Sequence, residues 1–263
     1  MSKAIRRITG NTTDINYGTH TFSAPNTLCR RVYDGFNICS KCLWTFVTEK
    51  SLKIHNGCCK GGNLKIFYEC EFKEGKHGKI GFTRINRLSN KQTLAALGDA
   101  FIRQKTVYCE LNLYEFYAAV DLESHEIMGY FSRHSQLENS LSCLVVFPPY
   151  QGCGIGTLLI DLSQQKAITR SNGIEYSDPN KIYVPLGPER PLSDTAYLCY
   201  KNYWAVKTAG ARTVQEVAEK ENIGLEDAVV GLEANGFDFN EWRIKKKMPR
   251  RKLKRELPDK LVR

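Results

Sequence analysis

Apolar and polar positions change period several times along this chain. Leu64–Phe72 (LKIFYECEF) and Phe82–Leu88 (FTRINRL) are β-rich runs separated by the Gly/Lys stretch EGKHGKIG, which predicts an antiparallel hairpin. Leu94, Leu97 and Phe101 share one helical face, so a helix is predicted from Leu94 to Ile102. VYCEL, FYAAVDL and, after a polar turn at Ser124–His125, EIMGYFSRH read as strands. LSCLVVF is a short apolar run halted by Pro148, the profile of a strand buried on both faces. Ile155, Leu158, Leu159 and Leu162 return to helical spacing, which starts a helix near Gly154. Further on, Thr213-Val-Gln-Glu216 is a capping box, with Val214, Val217 and Ala218 at helical spacing. After ENIG, the apolar positions Ala228, Val229 and Leu232 mark a second helix, stopped by Asn235-Gly236. Helix, short Gly turn, helix is a helix-turn-helix outline.

This order of elements divides the chain into five parts: 1–26, polar and turn-rich with one short strand; 27–62, a Cys/His module; 63–205, alternating strands and helices; 206–242, the helical pair; and 243–263, a tail. The fold class is α+β. Charge sharpens the last boundary. Arg243–Arg263 holds eleven Lys and Arg against Glu256 and Asp259, so the tail carries nearly all of the formal net charge of +10. Such a tail suits a polyanion or a nuclear address. The preceding helical pair is acidic instead (Glu216, Glu219, Glu221, Glu226, Asp227), a poor phosphate-facing surface. Met1–Gly10 has charges but no apolar stretch behind them, and no segment approaches ~20 apolar residues, so a soluble intracellular protein without a membrane span is expected.

The chain has 10 cysteines. Four ligand-type residues fall at finger spacing: Cys39-x-x-Cys42, then His55 and Cys59 four apart on one helix face. Three thiolates and an imidazole suit tetrahedral zinc, and Phe46 and Leu52 supply the small apolar core of a ββα finger. Cys58, three residues from His55, is the poorer fourth ligand.

PPYQGCGIG, Pro148–Gly156, lies between the apolar strand and the following helix. Backbone N–H groups at a helix start lack internal partners, and glycine lets a phosphate approach them without a Cβ in the way. The spacing alone is equally that of a strand–helix turn that needs glycine. It is neither the dinucleotide fingerprint nor a P-loop.

Gln151-x-x-Gly154-x-Gly156 resembles the acetyl-CoA-binding turn of the GNAT superfamily. SCLVVFPPYQGCGIG, PERPLSDTAYLCYKNYW (Pro188–Trp204) and QKTVYCELNLYEFY (Gln104–Tyr117) together resemble one branch, the MYST-type histone acetyltransferases, over about Asn16 to Phe237. The resemblance implies a GNAT-like acetyltransferase core with an N-terminal zinc finger and a C-terminal helix-turn-helix-like segment. It implies Glu189 as general base and Cys143 as the cysteine beside the acetyl group, with direct attack favoured over an acyl-cysteine. It implies cofactor contacts from the backbone of Leu144, Val145 and Val146, and from Gln151, Gly152, Cys153, Gly154, Ile155, Gly156 and Thr157, with Ser193 and Asn202 nearby. It also implies Lys105 as a self-acetylated lysine, structural zinc on Cys39, Cys42, His55 and Cys59, histone tails as substrate, a nuclear location and membership of a chromatin complex. The basic tail would hold nucleosomal DNA.

One departure stands out. The family usually has a basic residue after the Gln and often Lys after the last Gly; here they are Gly152 and Thr157. Losing two cationic phosphate contacts predicts weaker affinity, by about a few tenths to a few kcal/mol depending on burial. The same departure supports an alternative, a DNA-binding finger and helix-turn-helix regulator whose acetyltransferase core has decayed. An enzyme for small amines is a third reading, opposed by the finger.

Overall fold

The computed structural model describes residues 13–25, 36–71, 78–102, 110–135, 139–164, 187–211, 213–214, 217, 221, 223–238 and 243–244. Two strands, β1 (Thr13–Tyr17) and β2 (His20–Ala24), form a hairpin. β3 (Asn37–Ile38) joins β1 in parallel, β4 (Thr45–Phe46) joins β3, and the sheet order is β2-β1-β3-β4. Helix α1 (Glu49–Cys58) follows, capped by Thr48, whose hydroxyl accepts from the Ser51 N–H. The ββα finger expected of 27–62 is therefore present in its described part.

The body is a five-stranded antiparallel sheet in the order β10-β8-β7-β6-β5: β5 (Ile66–Glu71), β6 (Lys79–Ile85), β7 (Tyr114–Asp121), β8 (Ile127–His134) and β10 (Cys143–Val146), with β9 (Asn139–Leu141) preceding β10. Neighbouring side chains on a strand point to opposite faces, and the aromatic pairs follow that rule. Phe116 stacks on Tyr130 on one face, at 5.6 Å, and Tyr117 stacks on Phe131 on the other, at 5.1 Å. Helix α2 (Leu88–Phe101) covers the first face, where the Leu94 carbonyl accepts from Tyr130 Oη at 2.7 Å. Helix α3 (Ile155–Gln164) lies on the opposite face, Gly156 passing close to Val146. Three layers result.

The finger is fused to this body. The Ile127 N–H bonds the Ser40 carbonyl at 2.8 Å, Tyr17 Oη donates to the Ile127 carbonyl at 2.7 Å, and Thr93 of α2 donates to the Leu43 carbonyl at 3.2 Å. Ile15, Tyr17, Ile38 and Leu43 belong to the same buried cluster as the sheet.

At the other end, β11 (Gly187–Pro188) pairs in parallel with β9, and helices α4 (Asp194–Lys207) and α5 (Leu225–Ala234) pack closely. A Cβ on Gly231 would stand 2.6 Å from the Trp204 carbonyl oxygen, so a bare glycine sets the helix spacing. Asn235 caps α5 and reaches back to the Ala205 carbonyl, 2.6 Å away. A short pair, β12 (Phe237–Asp238) with β13 (Arg243–Ile244), ends the described chain. The first helix of the expected C-terminal pair is described at Val214, Val217 and Glu221 only.

Several expectations shift. The α2 helix begins at Leu88 instead of Leu94; its first six residues are mostly polar and Arg87 offers no side-chain cap, so no start signal is visible. The second hairpin strand begins at Lys79. Gly81, read as part of a turn, is inside β6, where a Cβ would stand 2.6 Å from Leu122 Cδ2. Of VYCEL, Glu110 is left-handed and Leu111 opens a 3₁₀ turn; 107–109 lie outside the described residues. LSCLVVF is not buried on both faces. It is the edge strand, with Cys143 and Val145 buried and Leu144 and Val146 half-buried.

Candidate active site and metal centre

The ligand atoms of Cys39, Cys42, His55 and Cys59 all lie within 4.8 Å of one another. Cys39 Sγ is 3.7 Å from Cys59 Sγ and Cys42 Sγ is 3.3 Å from His55 Nε2. Zn–S bonds of ~2.3 Å in a tetrahedron put sulfurs about 3.8 Å apart, so the Cys39–Cys59 separation of 3.7 Å is close to the edge length that zinc requires. The hydrogen bond between Cys42 and Cys39 lowers the pKa of the Cys39 thiol and raises that of Cys42, so without a metal the two thiols share one proton, with the thiolate on Cys39. Cys58 turns away, its thiol directed at the His55 carbonyl. Around the ligands, Leu52 is buried, Phe46 packs on the His55 ring at 4.8 Å, and Trp44 stacks on the same ring at 6.0 Å.

A polar bridge runs from this centre to the glycine turn. Ser40, between the first two ligands, donates to Glu126 Oε1 at 2.7 Å, and Tyr150 donates to Glu126 Oε2 at 2.9 Å. Gly18, at φ +62, leaves room for the bridge: a Cβ there would lie 2.2 Å from Ser40 Oγ. Burial raises the Tyr150 pKa and the Glu126 charge raises it further, so the phenol stays a donor. Tyr150 directly precedes Gln151, so the bridge ends where the turn begins.

The turn follows a 3₁₀ segment, Pro148–Tyr150, and leads into α3, whose first described helical bond joins the Leu158 N–H to the Gly154 carbonyl at 3.1 Å. Gly152 and Gly154 have φ of +72 and +88, and a Cβ on either would meet nothing within 4 Å. Both are in the left-handed region that favours glycine, and both present open backbone. Gly156 has ordinary helical geometry and ordinary room, its Cβ position 3.6 Å from Val146 Cγ2. Gln151 braces the turn from within, donating from Nε2 to the Val146 carbonyl at 2.9 Å. Cys153 is half-buried, its thiol towards the Gln151 carbonyl. Ile155 is buried under the helix start, and Thr157 is half-buried.

At the other end of β10 from the turn, the sheet forks. Residues 139–146 pair first with β11 through β9 and then, after Ser142, with β8 through β10. The outer edge of β10 carries no strand among the described residues. The Glu189 N–H closes the fork, bonding the Leu141 carbonyl at 2.8 Å, two residues before Cys143. Burial raises the pKa of Tyr114, the first residue of β7, and the charges of Glu189 and then Glu110 raise it further. Cys143 is buried. It is 7% exposed, faces α2, and lies 4.0 Å from Tyr130 Oη at a small cavity that Gly98 and Asp99 also line. Ser193 caps α4, accepting from the Ala196 N–H at 3.2 Å, and Asn202 is exposed on that helix. Lys105 lies outside the described residues.

The fork, the turn and the carboxylate all fall within one stretch that matches a family model. The MOZ/SAS family model covers residues 76–246. The chain belongs to the MOZ/SAS family. Among its curated relatives, the histone acetyltransferase Tip60 homolog of Caenorhabditis elegans is 30% identical over 223 residues, covering 76% of this chain and 44% of the relative. Histone acetyltransferase MOF of Drosophila melanogaster is 33% identical over 175 residues, 60% of this chain and 20% of the relative. Histone acetyltransferase SAS2 of Saccharomyces cerevisiae is 31% identical over 180 residues, 63% of this chain and 50% of the relative. The chain thus spans half or less of the length of these relatives. The MYST-type resemblance read from the sequence is borne out at the level of family. Among the described residues of this MOZ/SAS chain, no helix is long and apolar enough to cross a membrane.

Two features of the site were missed by sequence reasoning. Glu126 sat unremarked at the start of a run that read as β-rich, and its partners are 24 and 86 residues away. Asp227 was counted as a surface acid. It is buried, 3% exposed, and receives a hydrogen bond from Arg190. An acid in the first turn of a helix gives no sign in sequence of which element will cover it.

Proposed function

We propose that this chain is the catalytic module of a histone lysine acetyltransferase, moving acetyl from acetyl-CoA to the ε-amine of a histone-tail lysine in the nucleus. The observation that carries the reading is the fork: the Glu189 main chain is tied to Leu141 where β9 and β11 part, beside an open strand edge that runs into the glycine turn. This is the layout expected of a GNAT-like core, with 63–205 as the catalytic part, 27–62 as a fused finger, 1–26 before it, and 206–242 as a helix-turn-helix-like unit beside the substrate. The open backbone at Gly152 and Gly154 fits a diphosphate, and the edge of Leu144, Val145 and Val146 fits a pantetheine chain. Acetyl-CoA supplies an activated acyl group as a thioester.

The residues of the chain then have separate tasks. A lysine amine of pKa ~10.4 is neutral in roughly one molecule per thousand at neutral pH, so a base is needed at the point of attack. Glu189 removes the ammonium proton, and the neutral nitrogen attacks the thioester carbonyl directly; the C–N bond forms as the C–S bond breaks, CoA leaves as the thiolate and takes up the proton held by Glu189, and the second proton of the nitrogen passes to solvent. Cys143, facing α2, shapes the wall behind the reacting group and forms no bond. Gln151, Cys153, Ile155, Gly156 and Thr157 complete the turn, with Ser193 and Asn202 on the neighbouring helix. The chemistry of the donor set at Cys39, Cys42, His55 and Cys59 assigns zinc there, in a structural role. Lys105 is assigned as a self-acetylation site. The tail 243–263 is assigned to nucleosomal DNA, and the chain acts within a chromatin complex.

The DNA-binding alternative is less well supported. Fusion of the finger to the catalytic core is poor for free base reading, and nothing about the fork or Glu189 suggests decay. Incubating the protein with radiolabelled acetyl-CoA and mixed core histones tests the proposal. Label on histones is expected; binding of acetyl-CoA without label on any histone or on Lys105 would overturn it.

A further inference from the structure

Asp227 is the third residue of α5, counted from the Gly224 cap, and its carboxylate is buried beneath the segment that carries Glu189. A Cβ on Gly187 would stand 3.2 Å from Asp227 Oδ2, and one on Gly224 3.5 Å away, so glycine at both positions lets β11 lie over the carboxylate. Arg190 Nη2 donates to Asp227 Oδ1 and lies 4.0 Å from Glu226 Oε2. Arg190 is half-exposed, and it is the cation set against Asp227 among the described residues.

This pair is a poor source of stability. Burial pushes the Asp227 carboxyl up to about 6, even though Arg190 pulls it down; Glu226 adds to the rise. Across the interface, burial raises the buried phenol of Tyr200 on α4, and the Asp227 charge raises it further. Ionised Asp227 is thus tolerated rather than favoured at neutral pH, and an uncharged residue of the same shape would suit the fold at least as well. What the pair does provide is direction. Glu189 sits between two anchors: its own N–H on the Leu141 carbonyl, and the next side chain on α5. With the second anchor gone, the residues after Pro188 lose their tie to α5, while the pairing of β11 with β9 and the Glu189 N–H bond to Leu141 stay.

We propose that Asp227 and Arg190 form a clasp that fixes the Glu189 segment against α5, Asp227 being a positioning residue for the carboxylate that acts on the substrate amine. The proposal deepens the reading of Glu189 as base and rests on it. It differs from a helix-start acid that merely stabilises α5: a clasp predicts that local order at Glu189 and global stability move apart.

The test uses the full chain and the variants Asp227→Asn and Arg190→Met. Amide hydrogen exchange followed by NMR reads the Glu189 N–H directly, thermal melting reads stability, and labelled acetyl transfer to core histones reads kcat and KM. Both variants are expected to exchange the Glu189 amide at least tenfold faster while the β7 and β8 amides keep wild-type protection. Asp227→Asn is expected to melt no lower than wild type at pH 7.5, yet to lose about tenfold in kcat with KM for acetyl-CoA unchanged. Wild-type protection of the Glu189 amide in both variants would overturn the clasp, as would a uniform loss of protection with a lowered melting temperature. A loosened Glu189 amide with full kcat, together with a fully active Glu189→Gln protein, would instead overturn Glu189 as base and leave the clasp without catalytic meaning.

Discussion

Gly156 allows blockage of the phosphate turn to be separated from strain in it. Gly154, at φ +88, is a poor place for such a test, because alanine there carries about 1–2 kcal/mol of backbone strain and would weaken folding and binding together. Gly156 is different. It is the second residue of α3, lies outside the left-handed region, and has 3.6 Å between its Cβ position and Val146 Cγ2. Alanine in helical geometry is favoured over glycine by roughly 0.5–1 kcal/mol, which in a chain of this size raises the melting temperature by about 1–4 °C. The added methyl also stands at the mouth of the helix, where N–H groups would meet the diphosphate. Loss of one charge-assisted hydrogen bond costs about 1.5–3 kcal/mol, or roughly 10- to 150-fold in affinity. Gly156→Ala should therefore be slightly more stable than wild type and bind acetyl-CoA at least tenfold more weakly. Thermal melting and isothermal titration calorimetry on the same preparation measure both. Wild-type affinity in the variant, or a loss of affinity matched by a loss of stability, would refute the cradle.

Three other outcomes are expected. Glu115 is buried against Arg133, which donates from Nε at 2.8 Å, with Arg84 and Tyr117 on the same carboxylate; Glu115→Ala removes the carboxylate set against the buried Arg133 and should cost about 3–5 kcal/mol in urea unfolding, whereas Glu115→Leu with Arg133→Met should recover most of it. With zinc held by Cys39, Cys42, His55 and Cys59 as proposed, a chelator should lower both the melting temperature and acetyl-CoA affinity, because Ser40 and Tyr150 share Glu126; Tyr150→Phe should reproduce part of the affinity loss with metal content unchanged by mass spectrometry. Asp227 is pushed up to about 6 from 3.8, so the folded state holds its proton more tightly than the unfolded chain, and this group's contribution to stability grows as pH falls from about 6 to about 4. The stability advantage of Asp227→Asn over wild type should shrink across that window, by at most about 3 kcal/mol, in urea titrations at pH 7.5 and 4.5.

The metal centre was the most legible part of the sequence, because two ligands come from one tight turn and two from one helix face, and local spacing then fixes local geometry. Cys39, Cys42, His55 and Cys59 converge as their spacing implies. Helix α3 was legible too, from the Ile155, Leu158, Leu159, Leu162 period and the glycines before it. The fork that carries Glu189 was not. A strand that changes partner at Ser142 looks like any apolar run, so LSCLVVF suggested burial on both faces while β10 is an edge. Period cannot report which neighbour a strand lacks. Tertiary pairs of polar residues were equally hidden: Ser40, Glu126 and Tyr150 meet only after the finger docks, and Arg190 meets Asp227 only after α5 packs on α4. Glu189 itself was picked out by its PERPLSD setting through family resemblance; as a carboxylate in a loop it has no local signature.

The central claim is that the carboxylate at 189 takes the proton from the acceptor lysine at the fork. The direct measurement is single-turnover acetyl transfer from acetyl-CoA to core histones by Glu189→Gln, with acetyl-CoA affinity measured in parallel. Wild-type affinity is expected, with transfer slowed at least 100-fold at pH 7.5 and partly recovered as pH rises and more of the amine is neutral. Transfer at the wild-type rate by a folded, acetyl-CoA-binding Glu189→Gln protein would contradict it.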